Sequence, residues 1–230
     1  MESERFEIPF QGEELSALHD RPAGASQRSA VLLANGAGFH MDAPWMTAVA
    51  HGLVERGFEV LRFNYLYRER ALRSGHDKPP DRTPVLEEAH AAALAALLER
   101  TGAGRRVLLA GKSLGGRMST HLAAKGETCA GLVLFGYPLH PPGQPAKLRS
   151  EHFPTIAQPA LFLQGTRDEF ADLELLRTAL TRYGGRATLH VVEGADHGFR
   201  VLKKTGRTDD DVRTELLDRV ARWEDETFPV

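Results

Sequence analysis

Apolar and polar residues alternate at the start of the chain. Phe6, Ile8 and Phe10 stand at every second position, Gln11–Glu14 has turn composition, and an extended pattern resumes over Leu15–Leu18, which predicts an N-terminal hairpin. Pro9, lacking an N–H, places its strand at a sheet edge. The pattern then changes to short, nearly continuous apolar runs: Ala30–Ala34, Phe58–Phe63, Val107–Ala110, Leu132–Phe135, Ala160–Leu163 and Thr188–Val192. Runs of this length fit strands buried on both faces, and the longer stretches between them predict helices over Pro44–Arg56, Thr83–Arg100, Met118–Ala124, Leu173–Tyr183 and Asp209–Phe228. Gly57 and Gly102 stand where helix C-termini are expected, and Asp209–Asp211 suits the positive end of a helix dipole. The expected fold class is α/β: a mostly parallel sheet with an antiparallel N-terminal hairpin and helices on both faces.

Length and charge narrow this further. No repeat, low-complexity tract or long linker divides the 230 residues, so one domain spanning 1–230 is expected, with roughly 70% of the unfolded surface buried. A formal net charge of −2 gives no reason to expect nucleic acid or an anionic membrane as partner. The charged start Met1–Arg5 lacks the apolar core of a secretory signal, and no run approaches ~20 apolar residues, so a cytoplasmic location without a membrane span is expected. Cys129 stands alone beside the apolar run Leu132–Phe135 and reads as a buried thiol in a reducing compartment.

The most informative segment is Val107–Arg117. An apolar strand runs into Gly111-Lys112-Ser113-Leu114-Gly115 and then into a helical stretch, the pattern of a nucleophile elbow. A serine on so sharp a turn is lifted above the sheet, glycines flank it because side chains there would collide with neighbouring elements, and the following helix points free N–H groups at a developing oxyanion. The bland alternative is an ordinary Gly-rich strand-to-helix turn.

A serine hydroxyl is a weak nucleophile at neutral pH and needs a base that is itself held in one tautomer. In an open parallel sheet such groups gather at the carboxyl ends of strands. His197 follows the last apolar run, whereas His51 and His90 fall in predicted helices, His190 in a strand, and His19 and His76 far from the crevice. Asp168 follows Ala160–Leu163, with Glu169 and Asp172 as competitors, and Asp196 reads as a loop-capping residue. The order Ser113, Asp168, His197 is the one this architecture uses. Oxyanion donors are expected from the backbone N–H groups of Leu114 and of Ala37, which lies in the loop Asn35–Phe39; Gly36, Gly38, Phe39 and Lys112 are candidate substrate-binding residues. No metal site and no cofactor are expected.

These residues resemble the α/β-hydrolase superfamily, and within it the compact dienelactone-hydrolase-like branch. The likeness rests on Asn35-Gly36-Ala37-Gly38 with Met41 and Pro44-Trp45-Met46, on Gly111–Arg117, Tyr137–Gly143 and Leu163–Asp168, and on Gly194-Ala195-Asp196-His197. It implies a serine carboxylesterase-like hydrolase in which Ser113, His197 and Asp168 act together. Some eukaryotic relatives of this branch are subunits of a chromatin-acetylation complex, which implies the alternative of a non-catalytic interaction module. Asn35 departs from the histidine often found before the glycine, and Ser113 stands where dienelactone hydrolases proper carry cysteine.

Only about two dozen residues separate Phe135 from Ala160, so a minimal lid is expected, with an open pocket for small or exposed acyl groups of an ester or thioester. Residues 62–82 carry six basic against three acidic side chains, read as a solvated basic loop or as a grip for a carboxylate-bearing substrate.

Overall fold

The computed structural model describes residues 1–24, 26, 28–102 and 104–229. Eight strands form one sheet: β1 (Glu2–Phe10), β2 (Glu13–Arg21), β3 (Ala30–Ala34), β4 (Glu59–Phe63), β5 (Val107–Lys112), β6 (Gly131–Phe135), β7 (Ala160–Gly165) and β8 (Ala187–Val192). Their order is β1-β2-β4-β3-β5-β6-β7-β8, with β1 and β2 antiparallel and all pairs from β3 onward parallel. The helices are α1 (Pro44–Glu55), α2 (Leu66–Ser74), α3 (Thr83–Thr101), α4 (Leu114–Ala124), α5 (Leu173–Leu180) and α6 (Asp209–Thr227). None is long and apolar enough to cross a membrane, among the described residues.

The continuous apolar runs divide by strand geometry. Successive side chains point to opposite faces, so Ala30, Leu32 and Ala34 enter one core with Leu109, Leu134 and Phe162, while Val31 and Leu33 enter the other with Leu108, Val133 and Leu161. The first core is closed by α3, α4 and α5, the second by α1 and α6, where Trp223 is buried. The helix ends have local causes. Pro44 occupies the first turn of α1, Asp172 caps α5 by accepting from Leu175 N–H at 2.9 Å, and Thr208 and Asp211 form a reciprocal capping box on α6.

One element departs from the sequence expectation. Residues 62–82 are not a solvated basic loop: Arg62 lies in β4 and Leu66–Ser74 is a helix. Four of the six basic groups are also paired. Arg62 is buried against Asp20 at 2.8 Å, Arg68 meets Asp77 at 3.2 Å, and Arg70 and Arg73 both reach Glu13 on the hairpin at 2.6 and 3.1 Å. Arg62, Arg70 and Arg73 thereby tie β4 and α2 to the hairpin, while Lys78 and Arg82 stay exposed.

The parallel register brings the strand ends to one rim. Ala34 pairs with Gly111, Gly111 with Leu134, and Gly165 with Val192. The segments after β3, β5, β7 and β8 therefore leave the sheet side by side.

Candidate active site

Ser113 sits at φ 50°, ψ −111°, between β5 and α4. A non-glycine residue at positive φ is strained, and the neighbours impose it. A Cβ on Gly111 would lie 2.3 Å from the Gly115 carbonyl carbon, and one on Gly115 would lie 2.3 Å from the Ala34 carbonyl oxygen. Both obstacles are backbone, so only glycine permits the approach. Ser113 N–H is held by the Phe135 carbonyl at 3.0 Å, leaving the hydroxyl half-exposed at the rim.

The other two candidate residues meet it there. His197 Nε2 stands 2.9 Å from Ser113 Oγ, while Nδ1 stands 2.9 and 2.8 Å from the two Asp168 carboxylate oxygens. A carboxylate against Nδ1 requires the proton on that nitrogen, which leaves Nε2 free to accept from the serine hydroxyl. Asp168 is buried and held on both sides: Phe170 N–H donates to Oδ1 at 2.8 Å and Gln164 Nε2 donates to Oδ2 at 2.6 Å. Gln164 is fixed in turn by accepting from Tyr137 N–H at 2.9 Å. The Phe170 ring lies over the His197 imidazole with centroids 4.2 Å apart.

The competitors have other positions. Asp172 is the α5 cap, and Glu169 is exposed at the mouth of the adjoining cavity. Asp196 Oδ1 accepts from Gly198 and Arg200 N–H groups at 2.8 and 2.9 Å, so it shapes the loop that presents His197. Cys129 is half-buried away from the rim, and burial pushes its thiol up to about 12, beyond the range of a thiolate nucleophile at neutral pH.

The loop Asn35–Phe39 is braced from inside. Asn35 is fully buried and donates Nδ2–H to the carbonyls of Gly36 and Phe39 at 3.1 and 2.7 Å, while the Tyr67 hydroxyl donates to the Ala37 carbonyl at 3.0 Å. Ala37 and Gly38 remain exposed. Neither Ala37 N–H nor Leu114 N–H donates to a protein acceptor among the described residues.

Of the candidate substrate-binding residues, Phe39 lines a cavity of about 780 Å³ beside His197, together with Trp45, Phe170, Phe199, Arg167 and Arg200. Gly36 is buried, and Lys112 faces away from the cavity. Its side chain is 2% exposed and its ammonium donates to the His197 carbonyl oxygen. The expectation that Lys112 contacts substrate is therefore corrected, because β5 directs it under the loop rather than out of the rim. Sequence reasoning missed Gln164, Tyr67 and Phe170. Gln164 alone left a signal, as a polar residue ending an otherwise apolar strand.

The profile of a protein family described as an alpha/beta hydrolase domain matches residues 27–225. The chain belongs to the α/β-hydrolase family. Solved structures share the fold. An α/β serine hydrolase homologue from Coxiella burnetii superposes on this α/β hydrolase with a TM-score of 0.75 at 22% identity, covering 94% of this chain and 97% of that one. Dienelactone hydrolase from Anabaena variabilis gives a TM-score of 0.71 at 22% identity over 99% and 96%. A Xanthomonas campestris α/β serine hydrolase described as lacking a lid gives 0.69 at 22% identity over 97% and 95%.

Proposed function

We propose that this α/β hydrolase is a serine hydrolase cleaving carboxylic esters or thioesters of small or exposed acyl groups. The observation that carries the reading is the unbroken hydrogen-bonded series Ser113–His197–Asp168 at a strained elbow. Ser113 Oγ attacks the acyl carbon as His197 Nε2 takes its proton. The new C–O bond makes a tetrahedral oxyanion, stabilised by the Ala37 and Leu114 N–H groups, each of the order of 3 kcal/mol in barrier. The intermediate collapses, the leaving alcohol or thiol takes the proton from His197, and an acyl-serine remains. Water, deprotonated by the same imidazole, then attacks the acyl carbon, and as the bond to Ser113 Oγ breaks His197 returns the proton to that oxygen and the acid leaves. Asp168 keeps Nδ1 protonated and stabilises the transient imidazolium.

The short segment between β6 and β7 supports the restriction to small or exposed acyl groups. Its only helical piece is the single turn Phe153–Thr155.

Incubation with a fluorophosphonate probe tests the reading. Wild type is expected to be labelled at Ser113 and Ser113→Ala unlabelled, with p-nitrophenyl acetate and butyrate hydrolysed faster than longer esters. A folded wild type that is neither labelled nor active on an ester series refutes it in favour of the interaction module.

A further inference from the structure

Lys112 precedes the nucleophile, and the mechanism above gives it no task. Burying an ammonium costs free energy unless it is paired, yet this one makes no salt bridge among the described residues and is almost wholly removed from solvent. Its hydrogen bond goes instead to the main-chain carbonyl of His197.

The rest of its surroundings is built around that bond. The ammonium lies 5.1 Å from the Phe199 ring centroid and 5.9 Å from that of Trp45, and those two rings are stacked at 6.3 Å. A cation facing aromatic rings is favoured electrostatically. Gly136 leaves the space: a Cβ there would stand 2.8 Å from Nζ and 3.5 Å from both Asp168 Oδ2 and His197 Nδ1. The charged and titratable groups facing the ammonium are thus Asp168 from the segment after β7, and Asp196 and His197 from the segment after β8; α1 contributes only Trp45. Burial lowers the lysine from its ordinary 10.5 to about 8, with both carboxylates working in the other direction.

Phe199 sits at φ 61°, a strained conformation for a side chain of that size, in a loop whose ends are held by Thr166, Arg167 and Asp209 and whose turn is closed by Asp196.

We infer that protonated Lys112 is a positioning residue that ties the main chain of the His197 loop to the nucleophile elbow. The neighbour of Ser113 in sequence then fixes the base as well, so nucleophile and base share one anchor. The role in turnover rests on the hydrolase reading; the role in loop order does not. A charge-assisted hydrogen bond is roughly twice as strong as a neutral one, so deprotonation loosens the anchor without removing it.

Hydrogen exchange of the peptide spanning 194–201, combined with p-nitrophenyl acetate kinetics from pH 6 to 10, tests this on the full chain. Wild-type protection of the peptide, corrected for intrinsic exchange, is expected to fall as pH passes about 8, and kcat to fall with it. Lys112→Met should show low protection at every pH, a KM within about twofold of wild type, a kcat reduced about 10- to 100-fold, and no decline above pH 8. Lys112→Arg, which stays charged, should recover part of kcat and push the decline to higher pH. Wild-type exchange that is flat from pH 7 to 9.5, or a folded Lys112→Met with wild-type protection, overturns the inference. If Lys112→Met does not fold, the wild-type titration decides alone. The exchange result stands whether or not any ester is hydrolysed.

Discussion

His90 offers a direct test of how the interior beneath the active-site rim responds to acid. It lies in α3 with no exposed surface, its Nδ1 accepts from the Tyr65 hydroxyl at 2.9 Å, and Nε2 has no partner among the described residues. No carboxylate stands by to receive an imidazolium, so burial lowers this histidine from 6.5 to about 3. The folded state thus holds it neutral, while the unfolded chain takes up a proton near pH 6.5. Below that value the unfolded state binds more protons, and stability is lost as pH falls, down to about 3. Between pH 7 and 5 the single-site linkage relation makes this loss about 2 kcal/mol. His90→Asn keeps an acceptor for Tyr65 and cannot titrate. Urea unfolding of both proteins at pH 7 and pH 5 isolates the effect, since other titrating groups cancel in the double difference. The variant is expected to be less stable at pH 7 because of the volume removed, yet to lose about 2 kcal/mol less on acidification. Equal pH dependence in the two proteins would mean that His90 takes up its proton in the folded state as readily as in the unfolded chain, and would refute the reasoning.

Two further outcomes follow from close packing around the same rim. Gly115→Ala places a methyl against the Ala34 carbonyl, which cannot rotate away, so a loss of about 1–3 kcal/mol in thermal unfolding should accompany loss of fluorophosphonate labelling; an unchanged labelling rate contradicts the elbow geometry. Asp20→Asn strands the buried Arg62 guanidinium, which also donates to the Met41 carbonyl at 2.7 Å, and is expected to cost about 3–5 kcal/mol in chemical denaturation, partly restored by adding Arg62→Met. A cost below about 1 kcal/mol shows that the pair is more hydrated than its burial implies.

The inner strands β3 to β7 were legible because each needed apolar residues on both faces, and period-two separation into two cores turns such a run into a sandwich filling. Ser113 could be chosen from the elbow motif and Asp168 and His197 by a topological argument, since each follows an apolar run, and the parallel register then carries them to one rim. What was illegible depends on contacts between distant segments. The polarity of Leu66–Ser74 hides a helix because its charges are met by Glu13, more than fifty positions earlier. Lys112 read as a substrate contact because lysine is seldom buried; its course toward the His197 carbonyl follows from the side chain's direction on β5, which no local pattern encodes. The start of α3 at Thr83 was legible, although Arg82 stands at the cap and no side chain performs the capping.

The segment between β6 and β7 is pinned at both ends, with Gly136 N–H on the Leu163 carbonyl and the Tyr137 hydroxyl on the Arg149 carbonyl, while Pro142–Lys147 faces solvent. Lengthening a surface connection costs only about 0.6 kcal/mol per doubling. That stretch is therefore a natural graft point, where sequence can be added while the strands that carry Ser113, Asp168 and His197 stay as they are.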